Sequence, residues 1–268
     1  MPRDDKRPKQ LVIARPGKIF LQADYGQCEF RMWANYAQDP QMLVDLRKGF
    51  DIHKIGAGFK KGIEIPLDAT YEEYSHLISG ISKQERQDAK KIIFGIMYGM
   101  GAKKAALDLG IAQEDAELII KKFFTRYPLA KQWLDDQIYK AKADGYVVSA
   151  IGRRRRLTKI WDSEDGIRMG AEREAMNSPI QGMASDLNCH VANTLALRFK
   201  ELKLNGALRI LVHDALLYEV PISEVGDILK LFIREMENPS IDCNVPLIAE
   251  FEIGTCWGNM EKIEERKR

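Results

Sequence analysis

The sequence predicts an α+β fold in which strands near both ends of the chain enclose a series of helices. Residues 19–24 and residues 210–214 are short apolar runs, and each ends in an aspartate, Asp24 or Asp214. The segment 82–98 between them has the pattern of a helix that carries cationic and aromatic side chains. Strands separated by inserted helices indicate an antiparallel sheet with a helical subdomain.

The N-terminal elements are predicted from turn and cap signals. Residues 11–24 indicate two strands joined by a turn at 15–18, and a helix follows near Gln27. Residues 46–82 are mixed, because several glycines and a proline interrupt them. Ser82 and Glu85 have the spacing of a capping box, so the central helix is predicted to begin at Ser82. Gly99 fits the position just beyond its end at Tyr98.

The C-terminal elements follow in the same way. Helices are predicted at 113–124 and 129–143, a strand at 145–149 and a long helix at 166–200. Pro179 should bend or interrupt the long helix, because proline removes one main-chain hydrogen bond and clashes with the preceding turn. A hairpin at 208–220, a helix near 223–236 and a strand at 247–252 come next.

Composition limits the class of protein. A chain of 268 residues with 45% apolar content can bury one large core or two modest ones. The formal net charge is only +2, so local basic clusters, not total charge, would have to bind a nucleic acid. The four cysteines form no C-x-x-C pair, which fits reduced thiols in an intracellular protein. No apolar run approaches the length of a membrane-spanning helix.

Asp24 and Asp214 are candidate ligands for two magnesium ions. Mg²⁺ prefers oxygen ligands, and a two-metal site stabilises the attacking and leaving oxygens of a phosphoryl displacement. A single aspartate after a strand more often caps a turn. The metal assignment therefore depends on the residues around each aspartate.

Three motifs supply that context. Residues 24–31 read D-Y-G-Q-C-E-F-R, residues 86–99 contain R-x-x-x-K-x-x-x-F-G-x-x-Y-G, and residues 212–215 read V-H-D-A. In this order they closely resemble motifs A, B and C of family A DNA polymerases, the bacterial DNA polymerase I group and its phage relatives. The resemblance extends from about Pro2 to Trp257. It implies a DNA-templated DNA polymerase that adds deoxynucleotides to a primer 3′-hydroxyl and releases pyrophosphate.

The resemblance also implies roles for individual residues. Asp24, Asp214 and the backbone carbonyl of Tyr25 would bind the two Mg²⁺ ions. Lys90 would protonate the leaving pyrophosphate, and Arg86 would join it at the triphosphate. Phe94 would pack on the nucleotide sugar and base, Tyr98 would stack at the template side, and Glu29 would exclude a 2′-hydroxyl. The full set implied to contact the dNTP is Arg86, Lys90, Phe94, Tyr98, Glu29 and Gln27.

DNA contacts and subdomains follow from the same resemblance. The basic run at 153–156 is similar to a segment that lies beside the DNA backbone, and clustered guanidinium groups suit phosphates. The palm is expected at 1–45 and 161–268, with the fingers at 46–160 and the motif B helix at about 83–98. The residues implied to contact primer–template DNA are Arg153, Arg154, Arg155, Asn177, Gln181 and His213.

Two departures from the family pattern affect these expectations. Ala215 stands where the family commonly has Glu, so one auxiliary carboxylate is missing. Only 23 residues precede Asp24, where family members carry a thumb and often a 3′–5′ exonuclease domain. We therefore expect both to be absent from this sequence. Either the sequence is a piece of a longer polymerase, or the gene is split and a second polypeptide supplies these domains, which is the favoured alternative. The other expected partners are primer–template DNA and dNTP, with no membrane.

Two other functions stay open. A catalytically silent DNA-binding scaffold subunit of a replication complex would account for Ala215, although Asp24, Asp214, Arg86 and Lys90 are all intact. A single-subunit RNA polymerase is disfavoured by Glu29 and by the form of motif C. The sequence does not distinguish replication from repair, or the cytoplasm of a bacterium from that of an infected host.

Overall fold

The computed structural model describes residues 7–212 and 214–263, apart from the side chain of Leu109. Its helices are α1 (Arg7–Gln10), α2 (Cys28–Ala37), α3 (Pro40–Arg47), α4 (Ile52–Lys60), α5 (Tyr71–Leu77), α6 (Lys83–Met97), α7 (Ala102–Leu109), α8 (Gln113–Arg126), α9 (Pro128–Asp144), α10 (Asp165–Glu201) and α11 (Val225–Glu237). Its strands are β1 (Lys18–Tyr25), β2 (Tyr146–Val148), β3 (Arg154–Arg156), β4 (Ala207–Val212), β5 (Ala215–Pro221), β6 (Ala249–Cys256) and β7 (Asn259–Lys262). The predicted α+β class is confirmed. Within the described ranges, no helix is both long enough and apolar enough to span a membrane.

The chain divides into two compact units. Unit 1 comprises Met1–Cys28 and Ala184–Arg268, and unit 2 comprises Glu29–Met183. The helix α10 contributes residues to both units. The palm and fingers bounds given above remain predictions.

Unit 1 is built on a five-stranded antiparallel sheet of order β4-β5-β1-β6-β7. The central strand is β1. It pairs with β5 from Lys18↔Pro221 to Ala23↔Leu216 and with β6 from Phe20↔Gly254 to Tyr25↔Ala249. Alternate residues of a strand point to opposite faces of a sheet. In this sheet apolar side chains pack on both faces. One face carries a cluster of Phe20, Leu217 and Trp257, and Tyr218 packs against Phe199 and Phe232.

The predicted strands of unit 1 are confirmed with two differences. Residues 11–14 contribute only an isolated bridge between Ile13 and Cys256, because Leu11 and Ile13 lie exposed and do not pack as an alternating strand would. The strand β7 was not predicted, since Asn259–Lys262 has no apolar alternation. It forms by pairing with β6, which is a tertiary contact.

Unit 2 contains the central helix α6, which begins and ends as predicted. The Ser82 hydroxyl accepts a hydrogen bond from the Glu85 N–H at 3.2 Å, and the Glu85 carboxylate accepts one from the Ser82 N–H at 2.8 Å. At the other end, Tyr98 is the C-cap and Gly99 has a φ of +70°. A Cβ on Gly99 would lie 2.4 Å from Met176 Cε, so backbone conformation and packing both favour glycine there.

The helix α4 packs closely on α6. A Cβ on Gly56 of α4 would lie 2.7 Å from Cδ1 of the buried Ile93 on α6. The glycines that made residues 46–82 look irregular in the sequence therefore allow a helix to approach its neighbour. Asp51 caps this helix, and its carboxylate accepts hydrogen bonds from the N–H groups of His53 and Lys54.

The helix α10 continues through Pro179 without interruption, so the predicted break is not observed. Ala175 and Met176 before the proline and Ile180 and Met183 after it are all buried. Burial of apolar side chains on both sides of the proline offsets the loss of one main-chain hydrogen bond.

Candidate functional site

Asp24 and Asp214 lie at the same end of the unit 1 sheet. Asp24 is the penultimate residue of β1, and Ala23 beside it pairs with Leu216 of β5. Val212 of β4 pairs with Ala215 of β5, which puts Asp214 in the turn that joins these strands. The register of three neighbouring strands thus brings together two carboxylates that are 190 positions apart in sequence.

The environment of Asp24 disfavours the ionised form of its carboxyl group. Burial is the largest cause that raises the pKa of Asp24 to about 6, followed by the charge of Asp214 and the smaller effects of Glu250 and Glu252. The Tyr25 N–H donates to Asp24 Oδ1 at 2.8 Å and opposes that shift only in part. Two carboxylates that repel each other at one end of a sheet are suited to bind a cation.

Asp24 and Asp214 offer two carboxylates as possible ligands for Mg²⁺. Across residues 7–212 and 214–263, no group of three or more His, Cys, Asp or Glu side chains is arranged to hold a metal ion. Mg²⁺ does not need such a cage, since it is often held by one or two carboxylates together with water and substrate phosphates. Ala215 begins β5 directly after Asp214 and adds no donor from its side chain.

Gln27 lies at the start of α2 in unit 1. Its backbone has a φ of +56°, an unusual conformation for a residue other than glycine. Its side-chain Oε1 is buried and has no hydrogen-bond partner among the described residues. A strained backbone that aims an unsatisfied acceptor is consistent with a ligand-contacting role.

In unit 2, α6 presents Arg86, Lys90 and Phe94 on one partly buried face, as their spacing of four residues predicts. Lys90 Nζ lies 5.5 Å from the centroid of the Phe94 ring, and the Phe94 and Tyr98 rings are 6.4 Å apart. The face is therefore cationic toward the start of the helix and aromatic toward its end.

Glu29 joins this face. The Tyr98 hydroxyl donates a hydrogen bond to Glu29 Oε2, which connects the first turn of α2 to the end of α6. The residue predicted to exclude a 2′-hydroxyl and the residue predicted to stack at the template side are thus in direct contact.

The structure adds two residues to this face that the sequence analysis missed. Asp51 Oδ2 accepts a hydrogen bond from Arg86 Nε at 2.6 Å. His53 is fully buried, with its ring centroid 5.7 Å from that of Phe94. Burial lowers the pKa of His53 to about 4, and neither ring nitrogen has a hydrogen-bond partner in the described part of the chain. The signal in the sequence was the Asp-x-His pattern at 51–53, where an N-cap residue begins a helix.

The predicted DNA-contacting residues of unit 2 are only partly grouped. Arg153, Arg154, Arg155 and Gln181 line a cavity of about 340 Å³ between the β2–β3 hairpin and α10. Asn177 does not line it, and its Oδ1 is buried without a hydrogen-bond partner in the described ranges. His213 lies outside the described residues.

Three arginines of the hairpin are engaged with neighbours in unit 2. Arg153 Nη2 donates to the Gly182 carbonyl oxygen at 3.2 Å, and Arg155 Nη2 lies 3.0 Å from Glu174 Oε2. The Arg154 guanidinium lies 4.9 Å from the centroid of the Tyr146 ring. These contacts orient the side chains, and each arginine remains exposed.

Paired carboxylates on an antiparallel sheet and a helix with cationic and aromatic side chains define a protein with a polymerase domain. The chain belongs to DNA polymerase family A, whose sequence profile matches residues 2–259.

Similar proteins support this assignment. The chain is 31% identical over 254 residues to a DNA polymerase I of Caldicellulosiruptor bescii, an alignment that covers 95% of the chain. It is 34% identical over 258 residues to a DNA polymerase I of Streptococcus pneumoniae, which covers 93% of the chain. Among solved structures, it is similar to the POL domain of Pol1 from M. smegmatis in complex with DNA primer-template and dNTP. That match has a TM-score of 0.84 and 28% identity and covers 96% of this chain.

The chain spans only part of each of these proteins. It covers 28% of the C. bescii protein, 27% of the S. pneumoniae protein and 44% of the M. smegmatis chain. The similarity therefore establishes the family of this region.

Proposed function

We propose that this chain is the catalytic part of a DNA-templated DNA polymerase, which adds a dNTP to a primer 3′-hydroxyl and releases pyrophosphate. The observation that carries the proposal is the convergence of Asp24 and Asp214 at one end of the sheet, in a chain that belongs to DNA polymerase family A. The mutual repulsion of these carboxylates supports a role in cation binding.

In this proposal Asp24, Asp214 and the backbone carbonyl of Tyr25 hold two Mg²⁺ ions. When bound, the ions neutralise negative charge on the triphosphate and on the reacting oxygens. Arg86 and Lys90 bind the triphosphate, and Lys90 gives a proton to the leaving pyrophosphate. The Arg86 and Lys90 side chains lie on the same face of α6, which supports binding of one ligand by both.

Phe94 and Tyr98 form the aromatic part of the nucleotide site, Glu29 restricts the space at the sugar 2′-position, and Gln27 supplies a polar contact to the dNTP. The exposed arginines at 153–155 contact DNA phosphates with a salt-dependent affinity. Asn177, Gln181 and His213 are proposed as further contacts to primer–template DNA.

Primer extension tests the proposed activity. The chain should extend a primer–template with dNTPs and Mg²⁺, extend it poorly with ribonucleotides, and lose extension when Asp214 is replaced by Asn. A chain that binds primer–template but extends it with neither substrate would instead support a silent scaffold subunit, which would account for Ala215. Equal use of ribonucleotides would point to an RNA polymerase.

A second polypeptide that carries a thumb and a 3′–5′ exonuclease domain stays a prediction. The short coverage of the relatives is compatible with it. Co-elution of this chain with a candidate thumb and exonuclease polypeptide, together with primer extension by the mixture, would test it.

Replacing Glu29 with Ala should raise ribonucleotide incorporation. Removal of the carboxylate opens space at the sugar, and pocket contacts of this size discriminate by about 10- to 100-fold. The measurement is the ratio of kcat/KM for a dNTP to that for the matching ribonucleotide. Tyr98→Phe is the matched variant, because it removes the hydrogen bond to Glu29 but leaves the carboxylate in the pocket. An unchanged ratio in Glu29→Ala would exclude Glu29 from the sugar pocket.

A further inference from the structure

Asp51 contacts Arg86 of α6 and caps α4, the helix that carries His53. We infer that Asp51 is a positioning residue that fixes the Arg86 guanidinium and the start of α4 for binding of the nucleotide triphosphate. This inference rests on the proposed function, since it deepens the role given there to Arg86.

The two carboxylate oxygens of Asp51 have separate partners. Oδ1 accepts hydrogen bonds from the N–H groups of His53 at 2.9 Å and Lys54 at 3.2 Å, which caps α4. Oδ2 accepts the hydrogen bond from Arg86 Nε at 2.6 Å, so the same side chain holds α6. A charge-assisted bond of this length is among the stronger hydrogen bonds in proteins.

The bond to Asp51 leaves most of the Arg86 guanidinium available. Within residues 7–212 and 214–263 it is the only hydrogen bond that this guanidinium makes, and the Arg86 side chain is 28% exposed. An arginine has five N–H donors, so four remain on the two terminal nitrogens. With Nε fixed, these donors keep the planar fork geometry that suits two phosphate oxygens.

Asp51 is itself held by α5. Its backbone N–H donates to the Tyr74 hydroxyl oxygen at 2.8 Å, and its carbonyl oxygen accepts from the same hydroxyl at 3.2 Å. The Tyr74 ring stacks on Phe50 with centroids 4.0 Å apart, and Tyr74 is buried. An anchored carboxylate restricts Arg86 more than a mobile one would, so little side-chain freedom is left to lose when a ligand binds.

The cap also determines where α4 begins. His53 is the second residue of that helix, and its buried ring lies beside Phe94 on α6. A shift in the first turn of α4 would move this ring against the aromatic part of the face. Asp51 therefore acts on both the cationic and the aromatic side chains without needing to touch the substrate.

Asp51→Asn separates the two roles of the carboxylate. Asn retains an oxygen that caps α4, since Asn and Asp are comparable N-caps, but it removes the negative charge beside Arg86. We expect the KM for dNTP in primer extension to rise roughly tenfold with a smaller change in kcat, the pattern of lost ground-state binding. Asp51→Ser should do the same, because Ser caps a helix but lacks the carboxylate that pairs with Arg86.

The chain offers a matched control in Asp39. It caps α3 through Oδ1, which accepts from the N–H groups of Gln41 and Met42 at 3.0 and 3.1 Å. No ion pair to Asp39 occurs among the residues that the structure describes. Asp39→Asn should leave the KM for dNTP unchanged. Urea midpoints for all variants establish that each is folded under the assay conditions.

Arg86→Gln and the double variant Asp51→Asn/Arg86→Gln test whether Asp51 acts through Arg86. If it does, the double variant has the KM of Arg86→Gln alone. Effects that multiply independently, or a normal KM in both folded Asp51 variants while Arg86→Gln is impaired, overturn this inference and leave the proposed function intact. A wild-type chain that extends no primer, or a normal KM in Arg86→Gln, instead overturns the proposed function of the site and this inference with it.

Discussion

Asp24→Asn should abolish primer extension and at the same time stabilise the folded chain at neutral pH. The loss of extension is expected to reach about 1,000-fold or more, because one of the two carboxylates proposed to bind Mg²⁺ is removed. The gain in stability has a separate origin. Burial and the charge of Asp214 disfavour ionised Asp24, and a neutral amide keeps the acceptor for the Tyr25 N–H without that charge.

The pH dependence of this gain follows from the direction of the shift. The pKa of Asp24 is raised in the fold to about 6 from an ordinary value of 3.8. A raised pKa stabilises the folded state below the ordinary value, and that stability is lost as the pH rises through 6. The difference between Asp24→Asn and the parent chain should therefore grow between pH 4 and pH 6.5 and reach about 1–3 kcal/mol. The pKa of His53 is lowered in the fold, but this shift is the same in both proteins and does not affect the difference in stability between them.

Urea unfolding at pH 4.5 and 7.5, in the absence of divalent cations, measures the difference. Asp227→Asn is the control, since Asp227 lies exposed on α11 beside Lys230 and its replacement should change stability by less than about 0.5 kcal/mol. If Asp24→Asn is less stable than the parent chain at pH 7.5, the two aspartates do not repel each other as described.

Loss of the buried ion pair between Asp45 and Arg126 should destabilise unit 2 more than any other charge change predicted here. Asp45 is fully buried and accepts from Arg126 Nε at 2.7 Å, from Arg126 Nη2 at 2.9 Å and from the Tyr127 hydroxyl at 2.6 Å. Arg126 Nη1 also donates to the Ile65 carbonyl oxygen at 2.7 Å. Arg126→Met leaves a buried carboxylate without its cation, which typically costs about 3–5 kcal/mol.

The measurement is the free energy of unfolding from urea titration of Arg126→Met and Asp45→Asn. Lys131→Met is the control, because Lys131 and Asp135 form an exposed i,i+4 pair on α9 that should contribute less than about 1 kcal/mol. Equal losses in Arg126→Met and Lys131→Met would contradict the account of a desolvated pair. The double variant Asp45→Leu/Arg126→Met should recover part of the loss, since it leaves neither charge unpaired.

Local signals predicted the elements whose boundaries depend on neighbouring residues in sequence. The Ser82–Glu85 capping box and Gly99 defined α6 at both ends, because caps act within one turn. The helix α4 was missed for the opposite reason. Its glycines disfavour a helix locally, and only the close packing of Gly56 against Ile93 explains them.

In the candidate site too, some residues were predicted from local sequence and others were missed. Asp24, Asp214 and the residues on α6 were found because they belong to motifs that are continuous in sequence. The proximity of the two aspartates depends on the register of β1, β5 and β4, and no local pattern specifies that register. Asp51 and His53 were missed because an N-cap followed by a histidine is common, and only tertiary packing places that ring beside Phe94.

The left-handed glycine at the end of α6 has a consequence for protein engineering. If the proposed function holds, efforts to make the chain accept altered nucleotides would diversify the proposed nucleotide-contacting positions Glu29, Phe94 and Tyr98. Gly99 follows Tyr98 immediately, but its φ of +70° strains any residue with a Cβ, and a Cβ there would also require Met176 to move. In a combinatorial library that randomises positions 98 and 99 together, most members would place a residue with a Cβ at this left-handed position, which disfavours the observed end of α6. Fixing Gly99 while varying its neighbour keeps the search among folded proteins.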